Sequence, residues 1–228
     1  GFFMAKIPAW SYSSLKLFET CPRKYQAEKV TKEVAYKDTD ATIYGKEVHK
    51  VAEDFLSGKI SEIPPKFSFI QSYLSRLQAF PGEKFCEIEL GVKKVDGRLV
   101  ACDFKDPEVW FRGIADLVII NGDMGWVVDY KTGKSAKYAD TRQLALMAAA
   151  LFLKYPQLKK LKTSLLFVVS KDFIKENFHA EYGLSIFSEL EGLLNHREIA
   201  YNTGTWNPRP NGLCRKWCAV TSCPHNGE

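Results

Sequence analysis

Phe111-Arg112-Gly113-Ile114-Ala115-Asp116-Leu117-Val118-Ile119-Ile120, a turn at Asn121-Gly122-Asp123, then Gly125-Trp126-Val127-Val128-Asp129-Tyr130-Lys131: this stretch decides the fold. Both flanks are rich in β-branched and aromatic residues, and Asn-Gly between such runs predicts an antiparallel hairpin. The hairpin places Asp116 near the start of one strand and Asp129, thirteen positions later, near the end of the other, so the two carboxylates come side by side. Side chains alternate along a strand, so Asp129 and Lys131 share a face. Carboxylates bind a hard divalent cation, and a lysine beside them serves a water nucleophile or a developing negative charge. On a solvated strand, Asp-x-Lys is an ordinary ion pair. Here Trp126-Val127-Val128 precedes it, which marks an interior strand ending in charge, and buried charge needs a partner or a metal.

Outward from the hairpin, helices alternate with strands. Residues from about Ser11 to Lys29 predict a helix that Cys21-Pro22 divides in two. A second helix, Ala41 to Leu56, carries an apolar stripe of Val48, Val51, Ala52 and Phe55. A third runs from Phe67 to Phe80. Lys84 to Val95 and Arg98 to Phe104 are strands joined by a turn at Asp96-Gly97. Past Lys131, Asp140 to Tyr155 predicts an Ala- and Leu-rich helix, Leu161 to Ser170 a buried strand, and Ala180 to Tyr201 a long final helix. The tail from Thr203 is irregular. This order predicts an α/β fold with a mixed central sheet flanked by helices.

The second helix adds to the carboxylates. Gly45, His49 and Glu53 recur every four residues and share one face. Gly45 permits close approach of another backbone, His49 offers an imidazole to a metal, and Glu53 orients that ring or binds outer-shell water. Gln143, on the Ala/Leu helix, follows Lys131 by twelve positions, with Arg142 beside it as a phosphate contact. Glu87 and Glu89 share a face of their strand, and Glu89 could approach the site.

The 228 residues suit one domain with additions, and a hydrophobic share of 46% is that of a globular protein. No apolar run is long enough to span a membrane, and the N-terminus does not read as a signal peptide, so a cytoplasmic protein is expected. The net charge of +5 is compatible with a polyanionic partner without identifying one. Cations cluster at Arg23/Lys24, at Lys131/Lys134/Lys137/Arg142 and at Arg215/Lys216, while Tyr12, Phe18, Tyr25, Tyr138, Trp206 and Trp217 offer stacking surfaces for unpaired bases. Of the six cysteines, Cys86 and Cys102 lie in strand-like text and read as core thiols. Cys214, Cys218 and Cys223 cluster in the tail and suggest a metal site rather than disulfides. Four thiolates, or three with His225, would also suit Zn²⁺.

In order, His49, Gly113-x-x-Asp116, Asp129-Tyr130-Lys131 and Gln143 resemble the motifs of the PD-(D/E)XK nuclease superfamily. The resemblance is to its RecB-type exonuclease domains, the group that includes CRISPR-associated RecB-like and phage exonucleases. It runs from about Ser11 to Cys223 and implies a restriction-endonuclease-like core. It also implies that His49, Asp116, Asp129 and the carbonyl of Tyr130 hold catalytic Mg²⁺ or Mn²⁺, and that Lys131 aligns or deprotonates the attacking water. Met147 stands where that group often has Tyr. Ser11-Tyr12-Ser13-Ser14-Leu15 with Cys21-Pro22-Arg23-Lys24-Tyr25 resembles the first half of the iron–sulfur staple of such nucleases. By that resemblance, Cys21 and the three late cysteines hold a 4Fe–4S cluster, with Zn²⁺ as the alternative. The expectation is one nuclease domain over 1–228, with its core at about 41–170 and segments 11–29 and 203–223 joined at the cysteines. Its expected partner is DNA, as single strands or duplex ends in phage or bacterial recombination, with protein partners unidentified. The alternatives are a structure-specific endonuclease and a non-catalytic nucleic-acid-binding module.

Overall fold

A computed structural model describes residues 6–228. The chain divides into two compact units: Asp38–Ile186, and the described residues before it together with Phe187–Glu228.

The first unit is built on a six-stranded sheet. Its strands are β1 (Glu83–Val95), β2 (Arg98–Cys102), β3 (Phe111–Asn121), β4 (Met124–Lys131), β5 (Lys160–Phe167) and β6 (Asp172–His179), in the order β2-β1-β3-β4-β5-β6. All neighbours are antiparallel except β4 and β5, so the sheet is mixed as expected. The β1–β2 turn has Asp96 and Gly97 both at positive φ (50° and 75°), the backbone a tight two-residue hairpin requires. The β3–β4 turn closes from Asn121 to its partner Met124 with Gly122 at φ 63°.

Five consecutive residues of β3, Ala115 to Ile119, are buried. A strand covered on both faces loses its polar alternation, which is why this hairpin reads as a near-continuous apolar run. On one face, Leu117, Ile119, Val128, Tyr130 and Leu166 pack against Val48, Ala52 and Phe55 of α3 (Asp40–Leu56) and Leu74 and Leu77 of α4 (Gln71–Ala79). On the other, Leu165 and Phe167 meet Leu144 of α5 (Arg142–Lys154), with Ile174 and Phe178 beside them. α3 starts at a reciprocal capping box: Thr39 Oγ1 accepts from Thr42 N–H (3.2 Å) and Thr42 Oγ1 accepts from Thr39 N–H (2.8 Å).

One element was not read and one expectation fails here. β6 lies in residues the sequence left unassigned: it is an edge strand whose half-buried positions, Ile174, Glu176 and Phe178, include a glutamate. The long helix over Ala180–Tyr201 is broken into a 3-10 turn (Ala180–Tyr182), α6 (Ser185–Glu189) and α7 (Glu191–Thr203). Gly183, between the 3-10 turn and α6, sits against the Phe152 ring, where an added Cβ would stand 2.5 Å from a ring carbon, so only glycine fits there.

The second unit holds α1 (Tyr12–Thr20), α2 (Pro22–Tyr25) continuing as a π-helix over Gln26–Val30, and α7. The division at Cys21-Pro22 is as expected, with Pro22 at the first position of the new helix. Phe18, Tyr25, Ala200 and Trp206 form its core, Tyr25 stacked on Trp206 at 5.7 Å. Arg197 is 3% exposed; its Nε donates to Tyr25 Oη (3.2 Å) and its Nη2 to the Pro8 carbonyl (2.7 Å). Phe18, Tyr25 and Trp206 are therefore interior packing and not stacking surfaces for bases. Tyr138 and Trp217 remain exposed, at 85% and 76%.

Candidate active site

The β3–β4 register sets the geometry. Leu117 pairs with Val128, and one step further the same register sets Asp116 opposite Asp129. Both are buried, Asp116 at 8% and Asp129 at 5% exposure. The Tyr130 main-chain N–H donates to Asp116 Oδ2 (2.8 Å). Asp129 Oδ2 lies 2.9 Å from Lys131 Nζ, yet among the described residues no donor meets this buried oxygen in hydrogen-bonding geometry. Burial first, then the facing Asp116, pushes the Asp129 carboxyl up, against the pull of Lys131. Lys131 Nζ also donates to Gln143 Oε1 (2.8 Å), so α5 clamps the ammonium from above.

α3 brings in His49. Its Nδ1 donates to the Gly45 carbonyl (2.7 Å), which aims Nε2 at Asp116 Oδ2, 3.0 Å away. Burial opposes the imidazolium, but the hydrogen bond and charge of Asp116 outweigh it and push His49 up to about 9. The close approach at Gly45 is made by a side chain: an added Cβ would lie 3.2 Å from Thr132 Oγ1. Thr132, which sequence reading passed over, lines a cavity of about 730 Å³ together with Gly45, His49, Glu53, Lys50 and Glu87.

Glu87 is the substantive correction. Of the strand glutamates, Glu89 was the candidate for the site, but it is exposed and pairs with Ile114. Glu87 stands in register opposite Asp116, where the β1–β3 ladder is interrupted between Cys86↔Leu117 and Ile88↔Ala115. Its φ of 50° turns it out of the alternation that would keep it level with Glu89. Burial, then the Asp116 charge, pushes Glu87 up to about 7. Its place opposite Asp116 follows once β1 and β3 are paired; the left-handed backbone has no signal in the sequence.

Other sequence candidates are engaged elsewhere. Arg142 forks onto Asp140 (3.0 and 2.7 Å) and is no open phosphate contact. In the second unit, Arg23 is held by Glu33 at 2.6 Å. There Cys21, Cys214, Cys218 and Cys223, with His225, line one cavity of about 20 Å³, room for about one water-sized occupant. Main-chain N–H groups of Arg209 and Asn211 donate to Sγ of Cys21 (3.3 Å) and Cys214 (3.4 Å). Among the described residues, no three His, Cys, Asp or Glu side chains are arranged to hold a metal ion as they stand. The donor chemistry nonetheless fits a hard cation at the first site: a buried carboxylate oxygen without a donor, a second carboxylate facing it and an aimed imidazole.

A family model of the PD-(D/E)XK nuclease superfamily matches residues 9–224. The chain belongs to that superfamily. Among solved structures, the nuclease fold is shared with the "Putative exonuclease" from Eubacterium rectale: TM-score 0.52, 13% identity, covering 92% of this chain and 86% of that one. SSO0001 is similar at TM-score 0.48 and 17% identity, over 97% and 89% of the two chains. No curated protein matches. Among the described residues of this nuclease, no helix is long and apolar enough to cross a membrane.

The cluster has a measurable cost. Folded His49 holds its proton to about 9 against an ordinary 6.5, and folded Glu87 to about 7 against 4.5. Both folded-state values are raised, so the folded protein binds more protons than the unfolded chain across this span. The stability they lend is present at low pH. It is lost as pH rises, first through the Glu87 titration and then through that of His49. Melting temperature in EDTA is expected to fall steadily from about pH 5 to about pH 9. A metal-free melting temperature that climbs over that range would contradict this charge arrangement.

Proposed function

We infer that the protein is a divalent-cation-dependent DNA exonuclease, its chemistry carried by the unit Asp38–Ile186. The observation that carries this reading is Asp116 set opposite Asp129 at a sheet interior, with Lys131 held between Asp129 and Gln143. His49, Asp116, Asp129 and the Tyr130 carbonyl would hold Mg²⁺ or Mn²⁺, which supplies charge neutralisation at the phosphate and a more acidic water. The chain's own groups do the remaining work. Gly45 fixes the His49 tautomer so that its Nε2 faces the carboxylates. Gln143 holds the Lys131 ammonium where it orients a water or meets charge developing on the phosphate. Glu87 supplies a third carboxyl that accepts a proton near neutral pH. The exonuclease direction follows the RecB-type resemblance and the name borne by the similar Eubacterium rectale structure. Cys21, Cys214, Cys218 and Cys223 are assigned to a metal site, a 4Fe–4S cluster by the resemblance with Zn²⁺ as the alternative; that the four line one cavity, with N–H donors on two sulfurs, supports a shared thiolate site, while its volume of about 20 Å³ as it stands suits a single ion and not a four-iron cluster.

The test is digestion of single-stranded DNA labelled separately at each end, with Mg²⁺ or Mn²⁺, by wild type and Lys131→Ala. Stepwise loss from one labelled end, abolished by EDTA and by the substitution, is the expected result. Cleavage of a circular single strand would replace the exonuclease with an endonuclease. Absence of any metal-dependent cleavage would leave a binding module.

A further inference from the structure

Beyond the C-terminus of α4, the sheet face that α3 and α4 cover continues onto β5 and β6 and opens as a second cavity of about 270 Å³. Phe80, the residue that caps α4, stands edge-on to Trp126 at 4.8 Å and forms one wall. Register places the remaining residues on one face: Trp126 beside Lys162, Lys162 opposite Asn177, and Ser164 opposite Lys175. The indole N–H of Trp126 donates to Ser164 Oγ (3.0 Å), which satisfies its polar edge and holds the ring in place. Lys162 and Lys175 are exposed, and neither takes part in an ion pair among the described residues. Lys175 Nζ lies 5.2 Å from the Phe173 ring, itself 38% exposed. The acidic residue that borders the cavity, Glu176, belongs by strand alternation to the other face, level with Ile174 and Phe178.

We propose that this cavity is an accessory binding site for single-stranded nucleic acid, on the sheet face opposite Asp129 and Lys131; the proposal rests on the nuclease reading. A fixed aromatic plane accepts a base by stacking, paired ammonium groups accept phosphates, and the Asn177 carboxamide meets a base edge. An acidic peptide would use the two lysines and leave the aromatic wall without a partner. The cavity is also within reach of the carboxylates. Trp126 precedes Asp129 by three residues, ~10 Å along β4, and edge strand β6 lies two strands from β4, again ~10 Å.

The test compares wild type with Lys162→Glu/Lys175→Glu, and with Arg98→Glu/Lys105→Glu as a charge-matched control at exposed positions far along the sheet. Binding of fluorescent oligothymidylate of about thirty nucleotides is followed by anisotropy in EDTA; cleavage of one of about six nucleotides is followed with Mg²⁺. The expected result is at least about tenfold weaker binding of the long strand by the Lys162/Lys175 variant. Its salt dependence should be shallower by about 1.4, the share of two phosphate contacts. Cleavage of the short strand should be unchanged, and the control variant should keep close to wild-type affinity and slope on the long strand. Wild-type affinity and slope in the Lys162/Lys175 variant would overturn the site. Displacement by polyglutamate as effective as by unlabelled oligonucleotide would overturn it in favour of an acidic protein partner. Wild type that cleaves neither strand refutes the nuclease reading alone, since the anisotropy comparison still decides the cavity.

Discussion

Asp129→Asn is expected to abolish cleavage while making the metal-free protein more stable. The loss follows from charge. On the proposed cation site, replacing one carboxylate removes a ligand and half of the facing pair, and an electrostatic contribution of several kcal/mol corresponds to a rate loss on the order of 10³-fold or more. The gain follows from the same geometry. Asp129 is 5% exposed, and although the Lys131 ammonium lies 2.9 Å from its Oδ2, burial with Asp116 opposite outweighs that pull and makes its ionised form costly. Asn is neutral and of the same shape, so the repulsion goes. Lys131 keeps its bond to Gln143. Each kcal/mol recovered moves the melting midpoint by about 2–4 °C for a chain of this length. Active-site strain of this kind is commonly held at the expense of stability. The measurements are single-strand digestion and thermal melting in EDTA at pH 8. Cleavage that survives Asp129→Asn removes the carboxylate pair from the chemistry; a lower metal-free melting temperature refutes the repulsion.

The second large effect is expected at the cysteines. On the proposed metal assignment, Cys218→Ser should release the metal and unfold the segment around Cys214–Cys223 without touching the Asp116/Asp129 pair. That segment has little apolar packing to hold it: Trp217 and Leu213 are exposed and Val220 is its buried apolar residue, while Ser222 ties it to Arg23 and Glu33 by hydrogen bonds at 2.8 and 2.9 Å. Structural metal binding to such thiolates contributes apparent free energies of about 10–16 kcal/mol for zinc, which far exceeds what so small a cluster of side chains supplies. Protein purified without oxygen is expected to be brown, with broad absorbance near 400 nm and iron and sulfide in equal amounts, and colourless as Cys218→Ser. A colourless wild type with one zinc would select Zn²⁺. Neither metal in wild type, with Cys218→Ser melting unchanged, would make these four residues plain thiols. Limited proteolysis reads the second half of the prediction: cleavage in the variant should begin after Tyr201.

Much of the site was legible because it depends on local spacing. The β3–β4 hairpin announces itself through Asn-Gly between β-branched runs, and its turn length alone makes Asp116 face Asp129. The fourfold spacing of Gly45, His49 and Glu53 places them on one side of α3 because a helix turns every 3.6 residues. These are short-range geometric facts, and the chain carries them whatever packs around it.

What was not legible depends on pairing between distant segments. β6 shows half-buried Ile174, Glu176 and Phe178 between charged neighbours; it becomes a strand because β5 presents a free ladder to it. The helix expected over Ala180–Tyr201 is broken into three short pieces around Gly183, where the Phe152 ring leaves no room for a side chain. Phe18, Tyr25 and Trp206 have the composition of a stacking surface and instead form the interior around Arg197. Arg142 has the charge for a phosphate contact and spends it on Asp140 two residues away.

The glutamates of β1 mark the division most clearly. From sequence alone came a mixed α/β core, a carboxylate pair with its lysine, a histidine aimed from a helix and four cysteines outside the core. Only the tertiary structure decided that Glu87 and not Glu89 joins them. Alternation treats the two as equivalent; a left-handed φ at Glu87, opposite Asp116 in a ladder interrupted there, sets them apart. That backbone conformation is held by contacts on both sides of the break, and no property of residues 87 to 89 taken by themselves encodes it.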